Sequence, residues 1–525
     1  MNDLCARPGK SAVAMARAVC LTLFTSLATS PVRAQSVDGA LCVGAEWYAL
    51  GTLPERHERD CRLAADLPAS VALRVDGRPA ASGPAAVGPA WVEGRMNSAW
   101  PYLQHGRGAW AGRGTTWRAG AAAEARFGPL RVRVQPEWFH AQNRSFDLAP
   151  VPGGDANRNK QYPNRVDAPQ RFGVDAHARL MPGQSTVEVR WSAIRTGVTT
   201  ATEVWGAAVA YPALMGTSAE GLPRAFLELR DVGAGPVGSL TMRAWVGQAT
   251  ASAFSPDEAK GQRMVHALVG MWRSPGRGDV QVGAGRIVHQ RWPDEGAGWP
   301  DLRRPFDGLF GDYTSNTGAE NGLMSVFARA QLPGSGFELY GEWARDDWWL
   351  DINDLVGEPI HTGTTVLGVA RAWPLGARGV RAVRVERIST RQAQDDPSRG
   401  RPALGVHTPL RDGHTNRGML LGSPATIGGG GLFLRWSEWR AGRAWSVHVR
   451  REEQVEESSY NLLLDVALRE GKSEDVLYGL GVEASHSWAA TRVWGGAESQ
   501  LNLNRHFESD AWNVILHVGV SRVWF

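Results

Sequence analysis

The sequence predicts an all-β chain closed into a large transmembrane antiparallel barrel. Three observations predict it. An N-terminal export signal is followed by no apolar stretch long enough to cross a bilayer as a helix. Strand-length runs alternate apolar and polar residues along most of the chain. The last fourteen residues, Trp512 to Phe525, form one such run that stops on an aromatic side chain. A sheet that crosses lipid has to close so that no backbone edge is left unpaired, and its last strand then meets its first.

The export signal comes first. Arg7, Lys10 and Arg17 lead into the apolar run Ala18 to Ala28, which is too short to span, and Val32-Arg33-Ala34 offers small residues for cleavage. Cleavage is predicted between Ala34 and Gln35, leaving 491 residues.

Residues 35–100 read as a periplasmic cap or plug. Cys5 and Cys20 leave with the signal, so Cys42 and Cys61 remain as an even pair in an oxidising compartment. A disulfide between them closes 18 intervening residues and contributes about 3 kcal/mol on the chain-entropy model. A metal site there needs more ligands than His57 supplies. Thr52-Leu53-Pro54-Glu55 is a capping-box pattern with proline in the first turn, predicting a short helix from Leu53 to Ala65 that carries Cys61. The Pro/Ala/Gly-rich passage Pro79 to Pro89 reads as a linker.

Residues 101–525 carry the barrel. Trp117, Ala119, Ala121, Ala123, Ala125 and Phe127 share one face, with Arg118, Glu124 and Arg126 on the other. After Gly128-Pro129 the alternation resumes, with Leu130, Val132, Val134, Pro136 and Trp138 opposite Arg131, Arg133, Gln135 and Glu137. Two such runs about a two-residue turn make a hairpin. The same pattern recurs at Val187 to Trp191 and at Trp445 to Arg450. A strand with its connection takes roughly 22–25 residues, which gives about 16–18 strands, too many for one sandwich. In the last strand the even positions from Trp512 to Trp524 are apolar apart from Arg522, while Phe525 falls on the more polar face. Trp524 and Phe525 are therefore both candidates for the aromatic signal that barrel-assembly machinery reads.

Composition agrees. Twenty-three tryptophans suit rings placed where lipid meets water, in the aromatic girdles of barrels. Formal charge is +4, falling to about +1 once the signal is removed, so the chain has no nucleic-acid footprint. Lys10, Lys160, Lys260 and Lys472 are the only lysines; the other basic groups are arginines, whose planar forks match carboxylates.

Three segments carry spaced motifs of one known family. In Gly197 to Pro223 the matching positions are Trp205-Gly206, Tyr211-Pro212, Leu214-Met215 and Ala219-Glu220-Gly221-Leu222-Pro223. Gly413 to Pro424 is similar to the family's Gly-aromatic-Thr-x-x-Gly-x-x-Leu-Gly stretch, with His414 standing at the aromatic position. Gly108 to Gly128 resembles the entry strand through Trp110, Gly112-Arg113-Gly114 and Phe127-Gly128. Together they resemble the Wzi capsule-assembly family, and the resemblance spans residues 95–525. It implies an eighteen-stranded, plugged barrel in the outer membrane of a Gram-negative bacterium, binding or organising a surface polysaccharide, and the arginine forks suit an acidic one. A porin or specific diffusion channel is the competing expectation.

No catalytic, cofactor-binding or metal-ligating constellation emerges. Gly428 to Gly431 lacks the Gly-Lys-Ser/Thr and following helix of a phosphate loop, and reads as the opening of a strand at Leu432. Trp348, Trp349, Asp351 and Asp354 form the densest acidic-aromatic patch, able to stack on sugar rings and accept hydroxyl hydrogen bonds, or else to serve as a girdle and solvated loop. His414 and Arg417, near His407, are candidate contacts to an acidic glycan or solvated loop residues. Arg118, Arg131, Arg133, Arg190 and Arg450 make either a basic lumen wall or a cross-strand network with Glu124, Glu137 and Glu188. The expected partners are the polysaccharide, the bilayer and the assembly machinery, with the chain as a monomer.

Overall fold

The computed structural model describes most of residues 53–522; 1–52, 305–319, 347–360, 391–402, 454–474 and 523–525 lie outside it, with several shorter stretches. The cleavage site Ala34-Gln35, Cys42, the patch of Trp348, Trp349, Asp351 and Asp354, and the terminal Trp524 and Phe525 therefore fall outside the described residues.

Twenty-two ladder segments join into one closed antiparallel barrel. In four places two consecutive segments are halves of a single bent strand, so the wall has eighteen staves among the described residues. Closure is made by Ser509–Arg522 on Ala90–Asn97, with Ile515 opposite Asn97 and Arg522 opposite Ala90. The barrel thus begins before the expected boundary at 101. Part of the Pro/Ala/Gly-rich passage is wall, not linker: Ala85–Val87 pairs with Ala123–Phe127, and Gly88-Pro89 is a kink inside the first stave.

Side-chain alternation sorts the faces as lipid requires. Trp512, Val514, Leu516, Val518 and Val520 are exposed on the outside, while Asn513, Ile515 and Ser521 are buried inside. Gly128-Pro129 makes the expected hairpin, with Phe127 opposite Leu130 and Gly128 at a φ of +59° that favours glycine. The flanking runs are interrupted, however. The first breaks at Ala121-Ala122 and the second at Gln135-Pro136.

These breaks belong to one row. Gly88-Pro89, Ala121-Ala122, Gln135-Pro136 and residues 182–185 lie side by side in neighbouring staves, tied by Gly88 N–H to Ala122 O (2.8 Å) and Gln184 N–H to Gln135 O (3.0 Å). Three of the four breaks contain proline. A kink in the wall strands donors that lipid cannot satisfy, and Pro89, Pro136 and Pro182 have no N–H to strand.

The two rims differ. Next to Arg522 and Ala90 the connections run from two residues (128–129, 192–193, 441–442, 489–490) to six (274–279). On the opposite rim most are long, including 98–113, 142–176, 200–223, 292–319 and 390–429, with 506–508 a three-residue exception. Short periplasmic turns and long external loops orient the barrel. Exposed Trp191, Trp445 and Trp488 sit beside short turns, and Trp512 near the other rim, as girdles require.

Inside, chain fills the barrel at three levels. Lowest is helix α1, Leu53–Ala64, one residue shorter than predicted and carrying Cys61. Cys61 and Leu63 are buried against Ala370, Ala372, Val380, Ala382, Trp439 and Ala444 of the wall. Above it, Leu73–Val75 pairs with Glu203–Trp205, which opens an inward loop running to Pro223. Highest are the inward segments 403–427 and 142–175. The arginines of the polar faces resolve as a network: Arg118 with Glu137 (2.9 Å), Arg131 with Glu124 (3.3 Å), Arg190 with Glu188, and Arg450 with Glu498 (2.6 Å).

Candidate functional site: a cavity at the long-loop rim

The plug is built from the two segments that carry the family resemblance. Trp205, Tyr211, Leu214, Met215 and Leu222 form one buried cluster with wall residues such as Ile287, Leu323 and Phe327. Wall carboxylates hold the loop backbone. Glu386 accepts from the N–H groups of Val209, Ala210 and Tyr211 (2.6–3.0 Å) and from the Tyr340 hydroxyl (2.7 Å), while Glu342 accepts from the N–H of Ala213 (3.1 Å). Gly431 is required by close approach, since a Cβ there meets the Tyr211 ring at 2.8 Å. Tyr211 itself donates to Glu452 (3.2 Å).

His414 belongs to this plug and not to a solvent-facing glycan site. It is 3% exposed, its Nε2–H donates to Leu214 O (2.7 Å), and its Nδ1 is 2.8 Å from His289 Nε2. Burial pushes its pKa down to about 4, so the ring is neutral and both nitrogens are committed. The physical reason is that segment 403–427 folds inward, so its polar residues serve chain-to-chain hydrogen bonds. Arg417 remains partly exposed and pairs with Glu220 (2.7 Å), which also meets Arg179 (3.1 Å). The structure does not bring Arg417 and His414 to one surface.

A cavity of about 190 Å³ opens instead among the long-rim connections 98–113, 142–176 and 390–429 and the adjoining ends of strands Val476–Trp488 and Thr491–Arg505. Its apolar lining includes Trp100, Trp110, Phe146 and Leu477; its polar lining includes Lys160, Gln170, Asn502, Arg505 and His506. Trp100 is fixed from below by inward-facing wall amides, with its Nε1–H donating to Gln500 (3.1 Å) and its carbonyl accepting from Asn513 (3.3 Å). Trp110 donates to Asn143 (3.0 Å), whose side-chain amide in turn holds the carbonyls of Phe172, Gly173 and Asp175. Asn143, the first residue of an Asn-x-Ser tripeptide, is 1% exposed and acts as the hub of its loop. Gln170 closes the same loop on Ala149 and Ala156. The cavity walls are therefore built and cross-braced.

Its electrostatics are one-sided. Lys160 and Arg505 line it, and among the described residues no carboxylate does. Lys160 is 3.8 Å from Asp475 Oδ2, the outer limit of an ion pair, and burial lowers its pKa. The Arg505 guanidinium lies over the Trp100 ring (4.9 Å) and donates to Asp147 O (3.1 Å). His506 is held neutral, pushed down to about 2 by burial and by the charges of Lys160 and Arg505. Asn502 is 3% exposed and its buried Oδ1 accepts no hydrogen bond. Sequence reasoning named Trp110 only within a motif and passed over Trp100, Asn502 and Arg505. Lys160 carried a signal, as one of four lysines in an arginine-rich chain.

Eighteen staves, an apolar outer belt, one short-turn rim and a filled interior define a plugged outer-membrane β-barrel. No protein-family model matches the chain, and no curated protein matches it in sequence. Among solved structures it is similar to Wzi of Escherichia coli, described as an outer-membrane, carbohydrate-binding β-barrel involved in group 1 capsule assembly. That match has 13% identity and a TM-score of 0.54, covering 83% of this chain and 85% of that one. The likeness is one of fold. Also similar are OccK9 (OpdG) of Pseudomonas aeruginosa, with 12% identity, TM-score 0.40 and coverage of 84% and 98%, and OccAB1 of Acinetobacter baumannii, with 9% identity, TM-score 0.41 and coverage of 84% and 97%.

Proposed function

We propose that this protein binds or organises an acidic polysaccharide at the cell surface, and that it is a binding protein and not an enzyme. The observation that carries the reading is the pairing of a filled lumen with an aromatic, basic cavity at the external rim. Carbohydrate sites commonly join apolar ring contacts to a few fixed polar groups, and cations suit acidic sugars. The motif resemblance to the Wzi family supports it, as does the fold likeness to a barrel described as carbohydrate-binding. An eighteen-stave barrel is wide enough for an aqueous pore, but chain occupies that space at three levels here.

The deciding experiment is a gene deletion with quantification of cell-associated and released polysaccharide. Loss from cells with gain in the medium is expected. Unchanged retention overturns the reading. Stable, large, ion-selective currents from the purified protein in planar bilayers would move it to the porin class.

A further inference from the structure

Deepening that reading and resting on it, we infer that the rim cavity is a subsite for a single anionic sugar residue, with the acid group between Lys160 and Arg505 and a hydroxyl on Asn502 Oδ1. Four observations converge. The cavity, at about 190 Å³, has room for roughly one sugar ring and not for an oligosaccharide. Two cations line it with no lining carboxylate among the described residues, so the lining itself presents positive charge to an incoming anion, with Asp475 off the lining and 3.8 Å from Lys160. Asn502 places a buried, unpartnered acceptor on the same cavity, and a buried acceptor without a donor costs free energy until something supplies one. A sugar hydroxyl is such a donor. Finally, Trp100, Trp110 and Phe146 offer apolar surface suited to the C–H face of a pyranose.

The wall arginines below the cavity are placed differently. Arg118, Arg131, Arg190 and Arg450 each find a glutamate within the wall. At the cavity, Lys160 and Arg505 share one buried carboxylate, Asp475, at the limit of pairing from Lys160, and the Arg505 guanidinium is met by an aromatic face and a carbonyl.

The test uses the full mature protein in detergent, with binding followed calorimetrically. Oligogalacturonate presents a carboxylate, a phosphomannan presents a phosphate, and a neutral glucan presents neither. Binding to at least one anionic probe is expected, with the glucan at least tenfold weaker. Lys160→Ala and Arg505→Ala should each weaken the anionic probe tenfold or more, and Lys160→Arg should restore most of it. Asn502→Leu should weaken it without changing its dependence on salt. Heat-modifiable mobility of every variant checks that the barrel is intact. Equal binding of the glucan, no binding of either anionic probe, or unaltered binding by folded Lys160→Ala and Arg505→Ala overturns the subsite. The broader reading fails separately. If deletion of the gene releases polysaccharide but a Lys160→Ala, Arg505→Ala strain retains it, the function stands and the subsite falls.

Discussion

Helix α1 and the rim cavity are made of the same residue types and differ in how their charges are matched. Around α1, Asp60 is completely buried and accepts from Arg384 (3.4 Å), Arg435 (3.2 Å), Ser437 (3.0 Å) and Trp439 (3.3 Å). Glu338 draws in Arg59 (2.5 Å), Arg329 (2.9 Å) and Arg384 (2.9 Å). His57 stacks on Trp439 at 4.4 Å. Each of these two carboxylates is shared by several donors. At the cavity, tryptophan, lysine, arginine and asparagine are held in place with charge and an acceptor left over. Around the helix the chain grips itself, and at the cavity the same residue types line an open space that the proposed sugar would fill.

Asp60→Ala is the strongest way to break this contrast. It leaves two arginines and a tryptophan N–H buried without their shared acceptor, at a cost of about 3–5 kcal/mol. We expect a lower temperature for loss of heat-modifiable mobility and new conductance in planar bilayers as α1 loosens. Unchanged stability and a silent bilayer would mean that α1 is held by its apolar face alone. Next in size, Glu386→Ala removes the acceptor of three loop N–H groups and of the Tyr340 hydroxyl, costing about 2–3 kcal/mol. Faster hydrogen exchange confined to residues 205–223 is the expected readout, and uniform exchange across the barrel would contradict it.

Lys160→Ala sharpens the comparison from the other side. Its ion pair with Asp475 is long, and Asp475 keeps the His506 N–H (2.9 Å), so thermal stability should fall less than for Asp60→Ala. A loss as large as that of Asp60→Ala would make Lys160 structural. The smallest effect concerns pH. Asp167, in the loop that walls the cavity, accepts from the Ser252 N–H (2.6 Å) and hydroxyl (2.5 Å), and burial raises its pKa to about 6, with Asp412 adding to the rise and Arg263 opposing it. A folded value above the ordinary 3.8 means that the contribution is full below that value and fades as pH rises through about 6. Residues 155–175 should therefore resist proteolysis slightly better at pH 5 than at pH 7.5, a difference that Asp167→Asn should abolish.

The wall was legible in the sequence because a barrel writes its faces as a period of two. The exposed Trp512, Val514 and Leu516 and the buried Arg118, Glu124 and Arg450 could each be assigned from neighbours in the chain. Helix α1 announced itself by its capping pattern. The site was not legible, because its members are brought together by closure. Trp100 and Arg505 are about four hundred positions apart and meet only because the last strands fold back beside the first. His414 misled for a related reason: a polar, glycine-rich loop reads as solvated unless its inward course is known. Glycine there serves contact, as at Gly405, where a Cβ would meet the His414 side chain at 2.5 Å.

The kink row has a consequence for how such a chain can change over generations. Gly88-Pro89, Ala121-Ala122, Gln135-Pro136 and Pro182-Gly183 share one level across four staves that span about a hundred residues of sequence. A one-residue insertion in any of them moves its break out of line with its neighbours and turns the face of half a stave from lipid to lumen. Those four staves are thus inherited as a block.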